Sequence, residues 1–198
     1  MSNIIENENV IKERFQAWQV PIAFLWGLAE ASFFFIVPDV WLTIISRHKL
    51  DKMKYRSIGF AILGALVGGT LIYWLARFYP RLVTDLLAQV PGINSILVRK
   101  VQVQVKNKGL LALIFGPLQG IPYKIYAAQW GIDYGNLAWF WLASVPARGI
   151  RFLVTAVLTR FIWIYAAKWV KFWNKIDLYL LISFWILFYL WYFRRFGW

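Results

Sequence analysis

Five hydrophobic stretches make up most of this chain, and three of them contain proline. They cover residues 22–46, 57–76, 109–130, 137–158 and 178–193. A helix needs about 20 mainly apolar residues to cross the hydrocarbon core of a membrane. Backbone that lacks helical hydrogen bonds is tolerated at that depth only where protein or water covers it. The pattern therefore predicts an all-α, polytopic membrane protein in which some segments are broken inside the bilayer. Residues 137–158 are expected to be broken at Pro146.

The composition supports a membrane protein without a substantial soluble domain. Hydrophobic residues make up 61% of the chain and charged residues 16%. Soluble domains have roughly 45–50% apolar and about 25% charged residues. Most of the surface of this chain is therefore expected to face lipid.

The net charge of +13 raises the question of nucleic-acid binding. The basic residues, however, form short clusters between hydrophobic stretches, as in residues 47–56. Such clusters are typical of segments that meet anionic lipid headgroups at a membrane surface. We therefore expect membrane lipids, and not nucleic acid, as partners.

The first hydrophobic stretch, residues 22–46, contains Glu30, Pro38 and Asp39. A continuous helix facing lipid would not carry these three residues. Proline removes a backbone donor and clashes with the preceding turn. We therefore predict a re-entrant or broken helix with a hinge at Pro38.

Residues 57–76 form an uncharged span with a face of small residues. Gly64 and Gly68 are four residues apart, and Gly69 widens the face. Small residues at this spacing let another helix approach closely. The three glycines are therefore predicted to serve helix packing.

Residues 79–108 are more polar and contain a Pro91-Gly92 break. The alternation of Val101, Val103 and Val105 would suit a strand, whereas the spacing of Leu97, Val101 and Val105 suits a helix face. An open strand edge cannot lie in lipid. We therefore predict an amphipathic helix at the membrane interface.

A second interrupted segment covers residues 109–131. Its predicted hinge residues are Gly116, Pro117, Gly120 and Pro122. Paired Pro/Gly-interrupted hydrophobic segments point to a transporter site near the bilayer midplane. The two interrupted segments are thus predicted to mark such a site.

Five ionisable residues lie in or near these segments: Glu30, Asp39, Lys124, Arg148 and Arg151. An ionisable group at this depth costs at least about 2.5–3.5 kcal/mol, so it is expected to have a partner or a watery cavity. Arg148 and Arg151 are three residues apart and share a helix face. We expect both acids to lie within reach of these arginines.

Two interpretations of this cluster remain open from the residues. In the first, Arg148, Arg151 and Lys124 bind phosphate, for which arginine offers a bidentate fork. Glu30 and Asp39 would then gate the site or carry protons, since a carboxyl group removed from water takes up a proton more readily. In the second, the acids and arginines only hold broken helices together, and Lys124 extends to the membrane interface.

Enzymatic chemistry is not indicated. The chain has no cysteine and one histidine, which excludes disulfides, thiolate metal sites and histidine-based metal sites. No nucleophile–base pair is apparent. We expect neither catalytic activity nor a cofactor.

Four motifs in order resemble the DedA superfamily, the bacterial branch of the VTT-domain (SNARE-associated Golgi protein) membrane proteins. They are Glu30 with Pro38-Asp39, the glycine-rich residues 64–73 with Arg77, Gly120-Ile121-Pro122-Tyr123-Lys124, and Arg148-Gly149 with Arg151-Phe152. The closest similarity is to the small YqaA-like branch. The resemblance covers about residues 22–165.

The resemblance implies a domain of two facing re-entrant segments, about residues 22–46 and 109–131, flanked by transmembrane helices. This domain would cover residues 21–165. A polar tail (residues 1–20) would precede it, and a basic, Trp-rich link with a last transmembrane helix (residues 166–198) would follow. The implied location is a bacterial cytoplasmic membrane, which the chain would cross several times.

The family is associated with membrane homeostasis and with moving lipids between leaflets. Its bacterial members include undecaprenyl phosphate translocases, and its eukaryotic members resemble phospholipid scramblases. Its proton-coupling acids map onto Glu30 and Asp39. The larger members carry two arginines in the second re-entrant segment, where this chain has Ile114 and Gly120 nearby. Phosphate binding is therefore assigned chiefly to Arg148 and Arg151.

The function expected from all these features is translocation or scrambling of an anionic lipid, such as a polyprenyl phosphate or a phospholipid, coupled to protons. Two alternatives remain. One is a proton- or ion-coupled exporter of small solutes, and the other is a membrane scaffold that transports nothing. A homo-oligomer is compatible with each of them.

Overall fold

The computed structural model describes residues 2–47, 50–133 and 135–196, so His48 and Lys49 of the basic cluster lie outside the described residues. Within these ranges the chain is helical and contains no strand. The helices are α1 Ser2–Ser32, α2 Asp39–Ser46, α3 Lys52–Phe78, α4 Pro80–Ala88, α5 Ser95–Lys108, α6 Leu110–Phe115, α7 Tyr123–Ile132, α8 Leu137–Trp169 and α9 Trp173–Phe196. A single 3-10 turn, Pro117–Gln119, lies between α6 and α7.

Three helical segments are long and apolar enough to cross a membrane: Lys52–Phe78, Leu137–Trp169 and Lys175–Arg195. They belong to α3, α8 and α9. Their length and composition support a membrane protein, and the all-α expectation is confirmed for the described residues. Most of the surface of these segments is free of protein contacts, as expected for helices that face lipid.

Helices α1 and α3 pack closely because glycines remove side-chain bulk between them. A Cβ atom added at Gly64 would overlap the carbonyl oxygen of Phe24, and one at Gly68 would overlap that of Leu28. Gly27 of α1 lies equally close to the backbone of α3. Gly69 faces a different neighbour, the ring of Tyr123 in α7. The glycine face of α3 thus contacts two helices.

The first hydrophobic segment is broken between α1 and α2, over residues 33–38. Aromatic side chains satisfy part of the non-helical backbone in this first break. The indole N–H of Trp26 donates to the carbonyl of Ile36 at 3.0 Å. The hydroxyl of Tyr189, from α9, accepts the backbone N–H of Val37 at 2.8 Å. Helices α1 and α9 therefore supply hydrogen bonds to backbone groups that have no helical partner.

The second hydrophobic segment is broken between α6 and α7, over residues 116–122. Gly120 has a φ of 82°, a left-handed conformation that glycine adopts without steric cost. Gly116 lies against the hydroxyl of Tyr126, where a Cβ atom would overlap that oxygen. Helix α7 begins directly after Pro122. The second break thus contains all four predicted hinge residues.

Two details of the predicted organisation differ from the structure. The break expected at Pro146 is wrong, because α8 continues through this proline from Leu137 to Trp169. Proline within a membrane helix is tolerated where neighbouring groups satisfy the freed backbone carbonyl. The polar segment 79–108 is helical as predicted, but it forms two helices, α4 and α5. In α5 Val101 and Val105 are buried and Val103 is exposed, as a helix requires.

Helix α7 lies at the centre of the molecule. Every residue from Tyr123 to Gln129 is buried. It packs against α3 on one side and contacts α1, α4, α5 and α6. Lys124, one of the predicted site residues, belongs to this buried helix.

Candidate functional site

The first ion pair of the site joins Glu30, near the end of α1, to Arg148 in α8. One carboxylate oxygen of Glu30 contacts Nη2 of Arg148. The Arg148 side chain has no exposed surface, and that of Glu30 is 5% exposed. Because both partners are removed from water, each depends on the other for neutralisation.

The guanidinium of Arg148 is also packed on an aromatic ring. Its Cζ lies 4.2 Å from the centroid of the Tyr123 ring, and the Tyr123 hydroxyl bonds to Ser144 Oγ at 2.7 Å. Nε and Nη1 of Arg148 have no hydrogen-bond partner among the described residues. Its Cζ also lies 5.6 Å from the centroid of the Phe152 ring, so Arg148 is held by one carboxylate and by cation–π contacts with two rings.

The second ion pair joins Asp39 to Arg151. The Oδ2 atom of Asp39 lies 2.9 Å from Nη2 of Arg151, and the Thr155 hydroxyl donates to Oδ1 at 2.8 Å. Asp39 is the first residue of α2, where the helix dipole favours a negative charge. Asp39 is 4% exposed, whereas the Arg151 side chain is 24% exposed. The guanidinium of this pair is thus accessible and its carboxylate is not.

Lys124 connects the two breaks. Its ammonium donates to the carbonyl of Phe34, in the first break, at 2.6 Å. The residue is 1% exposed, so it does not extend to the membrane interface. A lysine ammonium has three donors, and the hydrogen bond to Phe34 uses one of them. A neutral carbonyl does not neutralise the ammonium, so within the part of the chain that the structure describes Lys124 has no anionic partner in a direct ion pair.

A cavity of about 440 Å³ lies between the two breaks and α9. Four charged residues line it: Glu30, Asp39, Lys124 and Arg151. Arg148, which the sequence places in the same cluster, is not among its lining residues. Pockets for small ligands are roughly 300–1,000 Å³, so this volume suits a headgroup-sized ligand.

Aromatic side chains of α9 form the opposite wall of this polar cavity. They are Phe184, Trp185, Phe188, Tyr189, Trp191 and Tyr192. This wall was not predicted from the sequence. No motif in residues 178–193 indicates which face of α9 meets the cavity.

The charges of the site do not cancel. The cluster contains two carboxylates and three cations, so one positive charge is in excess. Glu30 lines the cavity but is paired with Arg148, which lies behind the cavity wall, and Asp39 is paired with Arg151. The remaining positive charge of the cluster is therefore that of Lys124. A cluster with this balance favours an anion in the cavity.

Several neighbours of the predicted residues were not foreseen. Thr155 lies four residues after Arg151 on the same face of α8 and bonds to Asp39. Helical spacing from Arg148 and Arg151 was the signal that could have identified it. Pro117, a predicted hinge residue, offers its carbonyl to Nη1 of Arg151 at 3.5 Å, a weak contact. Gly120 and Pro122 line the cavity directly.

The described residues contain no group of three or more side chains suited to hold a metal ion. The charges, shape and surroundings of the site are therefore what indicate its chemistry.

No family model matches this chain, and comparisons with curated proteins and with solved structures give no match either.

Proposed function

We propose that this membrane protein translocates or scrambles a lipid with an anionic phosphate headgroup. The observation that carries this function is the cavity between the two breaks, which lies against a charged cluster with one positive charge in excess. Arg151 and Lys124 would bind the phosphate there. Arg151 is suited to this role because its guanidinium is accessible and offers a bidentate fork.

The two ion pairs would have different roles. The buried pair of Glu30 and Arg148 would hold α1 against α8. The pair of Asp39 and Arg151 would open when a phosphate replaces the carboxylate on Arg151. Asp39, once released from Arg151, would be the proton-coupling group of this exchange. This exchange would couple lipid movement to proton uptake, with Glu30 as a second proton-accepting group on the cavity wall.

We infer further that the chain belongs to the DedA superfamily and crosses a bacterial cytoplasmic membrane several times. The four motifs quoted above support this assignment. Three of the four motifs contribute charged residues to the same cluster: Glu30 with Asp39, Lys124, and Arg148 with Arg151. The two breaks would then be re-entrant segments that enter and leave on one side of the membrane.

A scaffold that transports nothing is the second candidate function. It is favoured by one observation, the pairing of each acid with an arginine, which suffices to neutralise both acids. It does not account for the accessible guanidinium of Arg151 or for the charge excess beside the cavity. Transport is therefore preferred.

Lipid movement in proteoliposomes tests this function. Vesicles carrying a fluorescent phosphatidylglycerol, labelled on an acyl chain, would be compared with vesicles carrying labelled phosphatidylcholine. Lipid reaching the outer leaflet would be extracted by albumin. We expect protein-dependent movement of phosphatidylglycerol that Arg151→Gln abolishes.

The matched control is Arg99→Gln, because Arg99 lies on the exposed face of α5, away from the cavity. It should leave the rate unchanged. Movement of neither lipid by the unmodified protein, or normal movement by Arg151→Gln, would contradict the function.

A further inference from the structure

An apolar groove lies beside the polar cavity, between α2 with its preceding break and α9. Its volume is about 410 Å³. Two rows of aliphatic side chains spaced four residues apart face each other across it: Ile36, Val40 and Ile44, and Ile182, Ile186 and Leu190. Residues four apart lie on one helix face, so Val40 with Ile44 in α2 and the row in α9 each form an apolar surface, and Ile36 precedes α2 in the first break.

The groove and the polar cavity share one wall. Phe35, Trp185 and Tyr189 line both spaces. The polar atoms of this shared wall already have partners, because Trp185 donates to Thr43 Oγ1 at 3.0 Å and the Tyr189 hydroxyl accepts from Val37. The groove therefore offers contacts to an apolar ligand, while the adjoining cavity offers cations.

The dimensions of the groove match one leaflet of a bilayer. Ile182 to Leu190 spans about 12 Å along α9 at the rise of an α-helix. Half of the hydrocarbon core is about 15 Å thick. A hydrocarbon chain lying in the groove would thus run through most of one leaflet.

We propose that this groove binds one acyl chain of the anionic lipid whose headgroup occupies the polar cavity. The adjacency of a cationic space and an apolar space is the complement of an anionic amphiphile. This chain-binding site rests on the proposed function, since that function places the headgroup. It adds that the transported lipid is held both at its headgroup and at one acyl chain. This acyl chain therefore does not remain in the bulk lipid.

Photo-crosslinking tests the groove. The full chain would be placed in phosphatidylcholine vesicles with a small fraction of phosphatidylglycerol that carries a diazirine near the end of one acyl chain. Mass spectrometry would locate the adducts. We expect adducts at Ile44, Ile186 and Leu190 that unlabelled phosphatidylglycerol reduces several-fold, and that the same amount of phosphatidylcholine does not reduce. Adducts at Leu187, outside the groove, should not be reduced by either lipid.

A matched pair of variants adds a steric test. Ile186→Trp fills the groove, whereas Leu187→Trp adds the same side chain at a lipid-facing position. Both should remain monodisperse in detergent. We expect Ile186→Trp to lower both the competed adducts and phosphatidylglycerol movement several-fold, and Leu187→Trp to leave both unchanged.

The outcomes separate the groove from the proposed function. Competed groove adducts without lipid movement would support the groove and contradict transport. Lipid movement with adducts spread evenly over α9, or with no specific competition, would overturn the groove and leave transport standing. Crosslinks between two copies of the chain at Ile44 or Ile186 would overturn it as well, because they would show that protein occupies the groove.

Discussion

Arg151 contacts Asp39 across the gap between α8 and the start of α2, with 2.9 Å between Nη2 and Oδ2. Three residues earlier on the same helix, Arg148 contacts Glu30 without any exposed surface. The two arginines therefore differ in access to the cavity and not in the kind of partner. This difference separates a stabilising pair from a pair suited to ligand binding.

The first prediction concerns these two arginines. Arg148→Gln leaves Glu30 buried without its counter-charge, and breaking one partner of a buried pair costs about 3–5 kcal/mol. Arg151→Gln should cost less, because Asp39 keeps the hydrogen bond from Thr155 and borders the cavity. Thermal stability in detergent should therefore fall further for Arg148→Gln, while Arg151→Gln retains its fold and loses lipid movement.

The double variant Glu30→Gln with Arg148→Gln is the control for this prediction. Removing both charges should recover much of the stability that the single change loses, as in a double-mutant cycle. Equal loss of stability in both single arginine variants would contradict the division of roles.

The second prediction concerns the contact between α1 and α3. Gly64→Ala should destabilise the protein by about 1–3 kcal/mol, the usual cost of an overpacked contact. The added Cβ atom would overlap the carbonyl oxygen of Phe24. Gly59→Ala is the matched control in the same helix, because nothing lies within 4 Å of the added atom. Detergent thermal stability should show no loss for Gly59→Ala; a loss similar to that of Gly64→Ala would contradict the packing.

The third prediction concerns the attachment of α9. Asp177 lies 2.9 Å from Nη1 of Arg47, just after α2, and accepts from the indole of Trp163 at 2.9 Å. Asp177→Ala should therefore loosen α9 and speed proteolytic cleavage in residues 170–172. The charge reversal Arg47→Asp with Asp177→Arg should restore part of the protection. Unchanged cleavage of Asp177→Ala would show that apolar contacts alone hold α9.

The fourth prediction concerns pH and the start of α3. Asp51 accepts hydrogen bonds from the backbone N–H and the ammonium of Lys54. Partial burial acts to raise the pKa of Asp51, but these bonds outweigh it and hold the pKa below its ordinary value of 3.8. The stability from this cap is therefore full above pH 3.8 and is lost as the pH falls through the lower folded-state pKa.

Asp51→Ala should cost about 1 kcal/mol at neutral pH, the usual contribution of an N-cap. Asp51→Asn should still accept the backbone N–H of Lys54, but its contribution to stability should not depend on pH because the amide does not titrate. Detergent unfolding measured from pH 3 to pH 7 would separate the two variants. Identical acid dependence of the Asp51→Asn variant and the unmodified protein would contradict the assignment.

The fifth prediction concerns the path of the first broken segment. A re-entrant segment has both ends on one side of the membrane, so single cysteines at Gln16 and Lys52 should be labelled from the same face. Only the introduced cysteine can be labelled, because the chain has no cysteine of its own. A cysteine at Arg81, beyond α3, should be labelled from the opposite face. Labelling of Gln16 and Lys52 from opposite faces would mean that the segment crosses completely.

Local chemistry was sufficient to predict several features. The break before Asp39 follows from the backbone restriction of Pro38, and the close helix contact follows from the spacing of Gly64 and Gly68. The helix over Leu97, Val101 and Val105 follows from the hydrogen-bonding requirement of backbone in lipid. Each of these features depends on residues that are near one another in the chain.

The roles of Arg148 and Arg151 were decided by the tertiary structure. From the sequence both arginines are cations on one helix face, and either is a suitable partner for Glu30 or Asp39. Packing of Tyr123 against Arg148 leaves only Arg151 beside the cavity. The wall of α9 is also a tertiary feature, because it joins residues more than 140 positions apart. Hydrophobic pattern determines which segments enter lipid, but access to a cavity depends on which side chains fill the remaining space.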